Sequence, residues 1–398
     1  MVETQTNLVS DPLQSGEARL ALCGNVFPGD SIGGVLSVLD GPVREWAEGL
    51  RERGWTAPLG FGLYLGNDAV SDLARYQDKQ ARLNKSLADN NLAVWTANAF
   101  PFGGFHNPRV KEAVFHPDWR QPERVSFTCR VAEALTRLLM PGASASVSTC
   151  PLGYGPDAGR AAATVSNLRR AQEGLLHMEE RTGVKVVLAI EPEPDGCFER
   201  VKDLCAWLEE HVYEDTPFEQ RRLGVCWDLC HSAVVGEECS EVTTALTEHG
   251  IPLGKVQISS AIELSGGISV EAASELERLC GDPYLHQVRG FLRDGRPCSF
   301  SDLPKLLNNR AVVDEIESIR VHCHVPVHRT DVAGDLRATS WRESLQAAWD
   351  FGCRDYELET YTLPILPADF LATGGQVPTM IKEMEACALA LAECAKRA

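Results

Sequence analysis

A chain of 398 residues with 44% hydrophobic side chains can bury a large core, as one big α/β barrel or as two or three ordinary domains. Its formal charge of −18 repels nucleic-acid phosphates and anionic membrane surfaces at long range and favours a small-molecule ligand, with no nucleic-acid partner. No apolar run approaches the ~18 residues of a membrane span, and the polar, acidic start lacks the basic and apolar regions of a signal peptide, so a cytoplasmic location is expected.

Residues 1–18 read as a loose N-terminal tail, and 19–398 as a single domain. Strand-like runs follow in order: L-A-L-C-G-N-V (20–26), F-G-L-Y-L (61–65), L-A-V-W-T-A-N-A-F (92–100), A-S-V-S-T-C (145–150), V-K-V-V-L-A-I-E (184–191), L-G-V-C-W-D (223–228), K-V-Q-I-S-S (255–260), I-R-V-H-C-H-V-P-V (319–327) and Y-E-L-E-T-Y (356–361). Helical patterns fall near 42–54, 68–90, 122–139, 157–183, 199–212, 239–249, 270–280 and 340–351, with a last one near 376–396. Parallel strands need long crossovers, which helices supply, so the alternation predicts a (β/α)₈ barrel. One strand is in excess. The stretch 261–318 breaks the pattern and reads as an insertion between the seventh and eighth strands, a lid over the barrel mouth. Within it Asp294-Gly295 can turn a β-hairpin, and 319–327 would return from it. Residues 368–398 form a C-terminal helical segment.

The fourteen cysteines spell no C-x-x-C and no zinc-knuckle spacing, which fits buried free thiols. There is no G-x-S-x-G, no Walker A and no G-x-G-x-x-G after the first strand. Polar residues concentrate instead where a barrel places its chemistry, at the C-terminal ends of the strands. The fifth strand ends in Glu191 and Glu193, the sixth in Asp228 and His231, and the seventh carries Gln257. The insertion returns through His322, His324 and His328, and the last strand holds Glu357 and Glu359. Side chains two apart share a face of a strand, so Glu357 and Glu359 point one way, as do His322 and His324. A lone rim glutamate is as readily a solvated residue, Asp228 with His231 as readily a local turn, and the two histidines as readily a satisfied pair. Acids recurring at successive strand ends favour one cation site, suited to Mn²⁺, Mg²⁺ or Zn²⁺. A second cluster follows the third strand, where Trp95, Phe100, Phe102 and Phe105 can wall a pocket. Asn98 and His106 supply polar contacts there, and Tyr154 can line the same mouth.

The run V-C-W-D-L-C-H-S-A, Glu191 after V-V-L-A-I, and Glu359 in D-Y-E-L-E resemble the xylose-isomerase-like barrel superfamily, which includes sugar phosphate isomerases/epimerases and AP endonuclease 2 (endonuclease IV) proteins. More narrowly, N-A-F-P-F-G-G-F-H, S-T-C-P-L-G-Y, E-P-E-P, Y-L-H-Q, H-V-P-V-H and L-E-T-Y-T-L-P-I-L-P resemble the EboE "metabolite traffic" family over residues 20–367. The resemblance implies a barrel metalloprotein linked to moving or making a secondary metabolite, with partners among proteins of that pathway, and leaves the reaction open; the first reading is a metal-dependent isomerase or epimerase of a small polyhydroxylated or carbonyl metabolite. It implies a divalent cation on Glu191, Asp228, Glu359 and His324, with Gln257 as substitute for His324. Either Glu191 or Glu359 would move a proton, and His231 would orient Asp228 or contact substrate. Trp95, Asn98, His106, Tyr154, Glu193, His286, His322 and His328 would bind it. Glu357 is expected deeper in the barrel, on a cationic or hydrogen-bonding partner. The alternatives are a metabolite carrier that keeps the barrel and cation without turnover, and an endonuclease IV-like phosphodiesterase, disfavoured by the charge of −18. Mass spectrometry of the native protein should find no disulfide, and thiol reagents should react slowly; several native disulfides would contradict the reading of the cysteines.

Overall fold

The computed structural model describes residue 13, residues 16–106 and residues 110–397; most of the expected tail, 1–18, lies outside the described residues. Eight parallel strand positions close into a barrel. They are β1 (Arg19–Cys23), β2 (Leu59–Tyr64), a third position split into β3 (Leu92–Ala93) and β4 (Thr96–Asn98), β5 (Ser144–Thr149), β6 (Lys185–Ile190), β7 (Leu223–Asp228), β8 (Leu253–Ile258) and, after a long excursion, an eighth that pairs β8 with β1. Pairing of β1 with β2 completes the ring, and the chain is a (β/α)₈ barrel. The single run expected at 92–100 is split because β3 pairs with the start of β2 (Leu59 with Leu92) and β4 with its end (Leu63 with Ala97). Most of these strands are buried on both faces, one packed against helices and one lining the barrel.

Two helices of the barrel layer escaped the periodicity, as did the short Leu303–Leu307 and Arg310–Val313 of the excursion. Ile32–Asp40 contains Gly33 and Gly34, yet starts on a Ser31 side chain that accepts from the Gly34 N–H at 3.1 Å. Leu229–Val235 is almost wholly buried and so has no polar face to reveal it; the Asp228 carboxylate caps it by accepting from the His231 N–H at 2.9 Å. That cap is the local turn bond that the D-x-x-H spacing allowed. It also aims the His231 side chain.

The excursion between β8 and the last barrel strand builds a sheet of its own. It runs through β9 (Ser260–Ser265), helix Val270–Glu277, β10 (Val288–Leu292), β11 (Pro297–Phe300), β12 (Ile316–Val325), β13 (Asp331–Ala333) and β14 (Leu336–Ala338), in the order β11-β10-β12-β9-β14-β13. Its strands therefore extend past residue 318 to Ala338. The run at 319–327 belongs to the central strand of this sheet rather than to a return path, because β10 and β9 both pair antiparallel with β12. The Asp294-Gly295 turn joins β10 to β11, with Gly295 in the left-handed region at φ +84°. The chain then passes through helix Arg342–Phe351 to β15 (Asp355–Leu358), the eighth barrel strand.

Inside the barrel, Asp228, Gln257 and Glu357 stand level by register. Lys255 Nζ donates to Glu357 Oε2, and both residues are fully buried. Glu357 thus lies deep on a cationic partner. Gly62 is required opposite it, since a Cβ there would stand 1.7 Å from Glu357 Oε1. All fourteen cysteines are unpaired, nine of them buried. No helix among the described residues is long and apolar enough to cross a membrane.

The C-terminal helix Gln376–Arg397 packs on helices Pro42–Glu52 and Arg342–Phe351 and carries one fully buried acid, Glu383. Its Oε1 accepts from the Val327 N–H at 3.1 Å and the Thr360 hydroxyl at 2.8 Å, while Oε2 has no partner. Burial pushes this carboxyl up to about 7, against the two hydrogen bonds that lower it. A raised folded value means the folded state holds the proton longer, so stability falls as pH rises from about 4.5 through 7, by roughly 3 kcal/mol in full. Glu383→Gln should remove that component. Denaturant unfolding should find the variant more stable than the parent above pH 8 and equal to it below pH 4.5; parallel profiles would show that Glu383 does not titrate in this window.

Candidate metal centre

Three strand ends bring acids to one point. Glu191 follows β6, Asp228 closes β7 and Glu359 follows β15; each is buried and offers an oxygen within 4.8 Å of the other two. Glu359 Oε1 accepts from Asn25 Nδ2 at 2.6 Å and Asn98 Nδ2 at 3.3 Å. Glu191 Oε2 and Asp228 Oδ2 have no hydrogen-bond partner. Burial, then the charge of Asp228, raises Glu191 well above the usual carboxylate range; burial, then Glu191 and Asp228, does the same to Glu359. Burial also raises Asp228, opposed chiefly by His324.

Beside the acids three imidazoles converge. His231 Nε2 lies 3.0 Å from His322 Nε2 and 3.3 Å from His324 Nε2, and the last two are 3.1 Å apart. Their other nitrogens settle the tautomers. His231 Nδ1 meets the Pro192 carbonyl at 2.9 Å and His324 Nδ1 the Glu359 carbonyl at 2.8 Å; a carbonyl only accepts, so both Nδ1 atoms donate. Gln287 donates its amide to the Pro194 carbonyl at 2.9 Å, which turns its oxygen to accept from His322 Nδ1 at 2.7 Å. Burial lowers His231 to about 3 and His324 to about 4, and lowers His322 well below the usual range, so all three are neutral. Three Nε2 lone pairs therefore face one another with no proton between them. Nitrogens held ~2.0–2.1 Å from one ion at roughly 90–110° are separated by ~2.9–3.4 Å, which matches the observed spacing. The N–H to carbonyl bond on the far side of each ring is the arrangement that metal-ligating histidines use.

Asp228 joins the two groups, since it also offers an oxygen within 4.8 Å of His231 and His324. The Cys230 thiol lies within the same reach of His322 and His324. The described residues thus hold a carboxylate set and an imidazole set sharing one acid, both fit for a divalent cation.

The sequence candidates divide by place. Asn98, Glu191, Glu193, His231, His322 and Glu359 line one cavity of ≈ 50 Å³ at the barrel mouth. Burial pushes Glu193 up to about 8. His324 sits behind, against the Tyr361 ring at 4.5 Å between centroids. Gln257 lies deeper, where its Oε1 accepts from Cys226 Sγ at 2.8 Å. His286 does not line the cavity; it is fully buried between Asp282 Oδ2 at 2.5 Å and the His322 carbonyl at 2.8 Å. Trp95 stands at the opposite end of the barrel, under the Arg19 guanidinium at 5.2 Å. It precedes β4, and residues before a parallel strand lie at the barrel's bottom. Tyr154 packs on Phe115 and pairs with Gly196, and half-buried His328 is lowered to about 4 by burial, both outside the cavity lining. His106 accompanies the cavity's aromatic wall, with Nε2 at 2.9 Å from the Asn25 carbonyl and Nδ1 at 3.1 Å from the Tyr284 hydroxyl.

Reading the sequence missed Asn25, Gln287, Tyr284 and Tyr361. Asn25 follows β1 as the acids follow β6 and β15, a signal that was present. Gln287 comes from inside the excursion, where no periodicity ties it to the barrel.

No family model matches the chain, and no curated protein does. Among solved structures it is similar to a D-tagatose 3-epimerase-like protein, 12% identical with a TM-score of 0.48 over 96% of this chain and 100% of the other. It is similar to D-allulose 3-epimerase from Methylomonas sp., 13% identical with a TM-score of 0.46 over 94% and 96%. AP endonuclease, family 2, from Brucella melitensis is 14% identical with a TM-score of 0.37 over 61% and 79%. Likeness at this level says nothing of chemistry.

Gln287 orients the His322 ring without being a ligand itself. Gln287→Leu frees the His322 ring and should weaken Zn²⁺ binding by ~10–100-fold in competition against a chromophoric chelator. Unchanged affinity would mean that the imidazoles do not hold the ion.

Proposed function

We propose that the barrel mouth is a metal-dependent catalytic centre acting, as an isomerase or epimerase does, on a small polyhydroxylated or carbonyl metabolite. The convergence of three unprotonated Nε2 atoms beside three buried carboxylates supports this reading above all else. Glu191, Asp228, Glu359 and Glu357 surround one buried lysine, Lys255, so the interior is short of positive charge. A cation held by Glu191, Asp228 and Glu359, or by Asp228 with His231 and His324, would offset that shortage. It would polarise a carbonyl and its neighbouring hydroxyl. Glu359, fixed by Asn25 and Asn98, holds its orientation. Glu191, with one oxygen free and its proton affinity raised, takes and returns the proton at the adjacent carbon. The resemblance of several segments to EboE proteins supports a setting in secondary metabolism.

A second reading rests on the two donor sets sharing Asp228. Two adjacent ions would suit hydrolysis of a phosphoester. Metal analysis separates the two: one ion per chain supports isomerisation, two or more with phosphate release support hydrolysis.

Glu359→Gln should strip most of the bound cation, since it removes a full charge from the ligand set. Glu357→Gln should leave cation affinity near that of the parent and instead lower stability, because it uncouples the buried Lys255 pair. Calorimetric titration of Mn²⁺ or Zn²⁺ into both variants separates the roles; parental affinity in Glu359→Gln would remove the acid set from the metal centre. Catalysis is checked by deuterium exchange from D₂O into the carbon beside the carbonyl of a hydroxyketone panel. Glu191→Gln should slow that exchange by ~10²–10⁴-fold. Exchange unaffected by the substitution would sink the acid–base role.

A further inference from the structure

The cavity above the metal centre has two unlike faces. Its floor is made of Glu191, Glu193, Glu359, His231 and His322. Its wall is made of Phe100, Phe105, Val110, Tyr284, Leu285 and Tyr361, with Pro101 and Val114 between them. Three of the rings form a corner: Phe105 lies 5.1 Å from Tyr284 and 5.2 Å from Tyr361, and Tyr284 lies 5.1 Å from Tyr361, centroid to centroid. Tyr361 then packs at a tilt against the His324 ring, so aromatic surface runs without a break to the metal centre.

Several polar groups near that wall already have partners, although Asn25 Oδ1 in the same lining has none. The Tyr284 hydroxyl is taken by His106, and Lys111 Nζ is held by the Tyr284 carbonyl at 3.1 Å and Asp302 Oδ2 at 2.6 Å. Asn98 spends its amide nitrogen on Glu359 and its oxygen on the Phe100 N–H at 2.9 Å. A polyol carries an oxygen on nearly every carbon. Against this predominantly apolar wall most of its hydroxyls would lose their water partners and gain few. A molecule with oxygens at one end and an apolar ring at the other meets both faces without that loss.

The geometry points to a substrate with two neighbouring oxygens for the metal centre and a single aromatic or unsaturated ring seated in the corner of Phe105, Tyr284 and Tyr361. This rests on the metal-centre reading above and narrows its substrate from a polyol to a ring-bearing carbonyl compound.

The test uses the zinc-loaded full-length protein and two bidentate probes that differ in a ring, benzohydroxamate and acetohydroxamate, with xylitol as the polyol. Burying one phenyl group should make benzohydroxamate bind at least about tenfold tighter than acetohydroxamate in calorimetry. Phe105→Ala should remove most of that ratio and leave acetohydroxamate within about twofold of the parent. Val114→Thr, nearly the same shape with an added hydroxyl, should shrink the ratio in a variant whose packing is preserved. Equal affinity for the two hydroxamates, a ratio untouched by both substitutions, or xylitol binding more tightly than benzohydroxamate would each overturn the inference. Zinc binding without binding of either hydroxamate overturns it while leaving the metal centre standing. Failure to bind zinc at all removes the metal centre and this inference with it.

Discussion

Buried charge governs this molecule. The barrel closes around Lys255 and Glu357, and that pair sits at the level where β7, β8 and β15 run in register. Above it Glu191, Asp228 and Glu359 crowd together out of water. Removing such groups from solvent is costly, and a single lysine balances one of them. Burial first, and the crowding of like charge second, raise the proton affinity of Glu191 and Glu359. Such an arrangement suits a cation or a mobile proton at the same spot.

The two donor sets have different origins in the fold. The acids come from the barrel, where each strand end delivers one inward side chain at a time. Two of the three histidines come from β12, in the middle of the excursion sheet, and the third from the short helix capped by Asp228. The excursion is therefore more than a cover. Its central strand carries His322 and His324 to within hydrogen-bonding distance of His231, and its Gln287 orients one of them. Asp228 links the parts, offering one oxygen to the helix that aims His231 and leaving the other unpartnered in the acid cluster.

The same excursion sets the character of the cavity. Tyr284 and Leu285 precede β10, Tyr361 follows the last barrel strand, and Phe105 comes from the loop after the third position. These four side chains, remote in sequence, make an apolar wall over an ionic floor. Water excluded by the wall strengthens every electrostatic interaction on the floor.

Much of the barrel was legible in the chain itself. Apolar runs separated by helix-length patterns determined the alternation of strands and crossovers, and strand parity determined that Glu357 and Glu359 share the inner face, one below the other. Acids at three strand ends marked the mouth. These features are local: each depends on a period or on a neighbour a few residues away. What the tertiary structure decided is non-local. The run I-R-V-H-C-H-V has the same alternating pattern whether it lines a barrel or centres an antiparallel sheet, and only pairing with β9 and β10 assigns it to the second. Trp95 and Asn98 belong to one short run, yet Trp95 enters β4 at the bottom of the barrel and Asn98 ends it at the mouth. His322 read as a substrate contact and His324 as the lone imidazole ligand. That they meet His231 nose to nose, each turned by an acceptor from a different segment, is a fact of three chains of contact closing in space, which no spacing along one chain encodes.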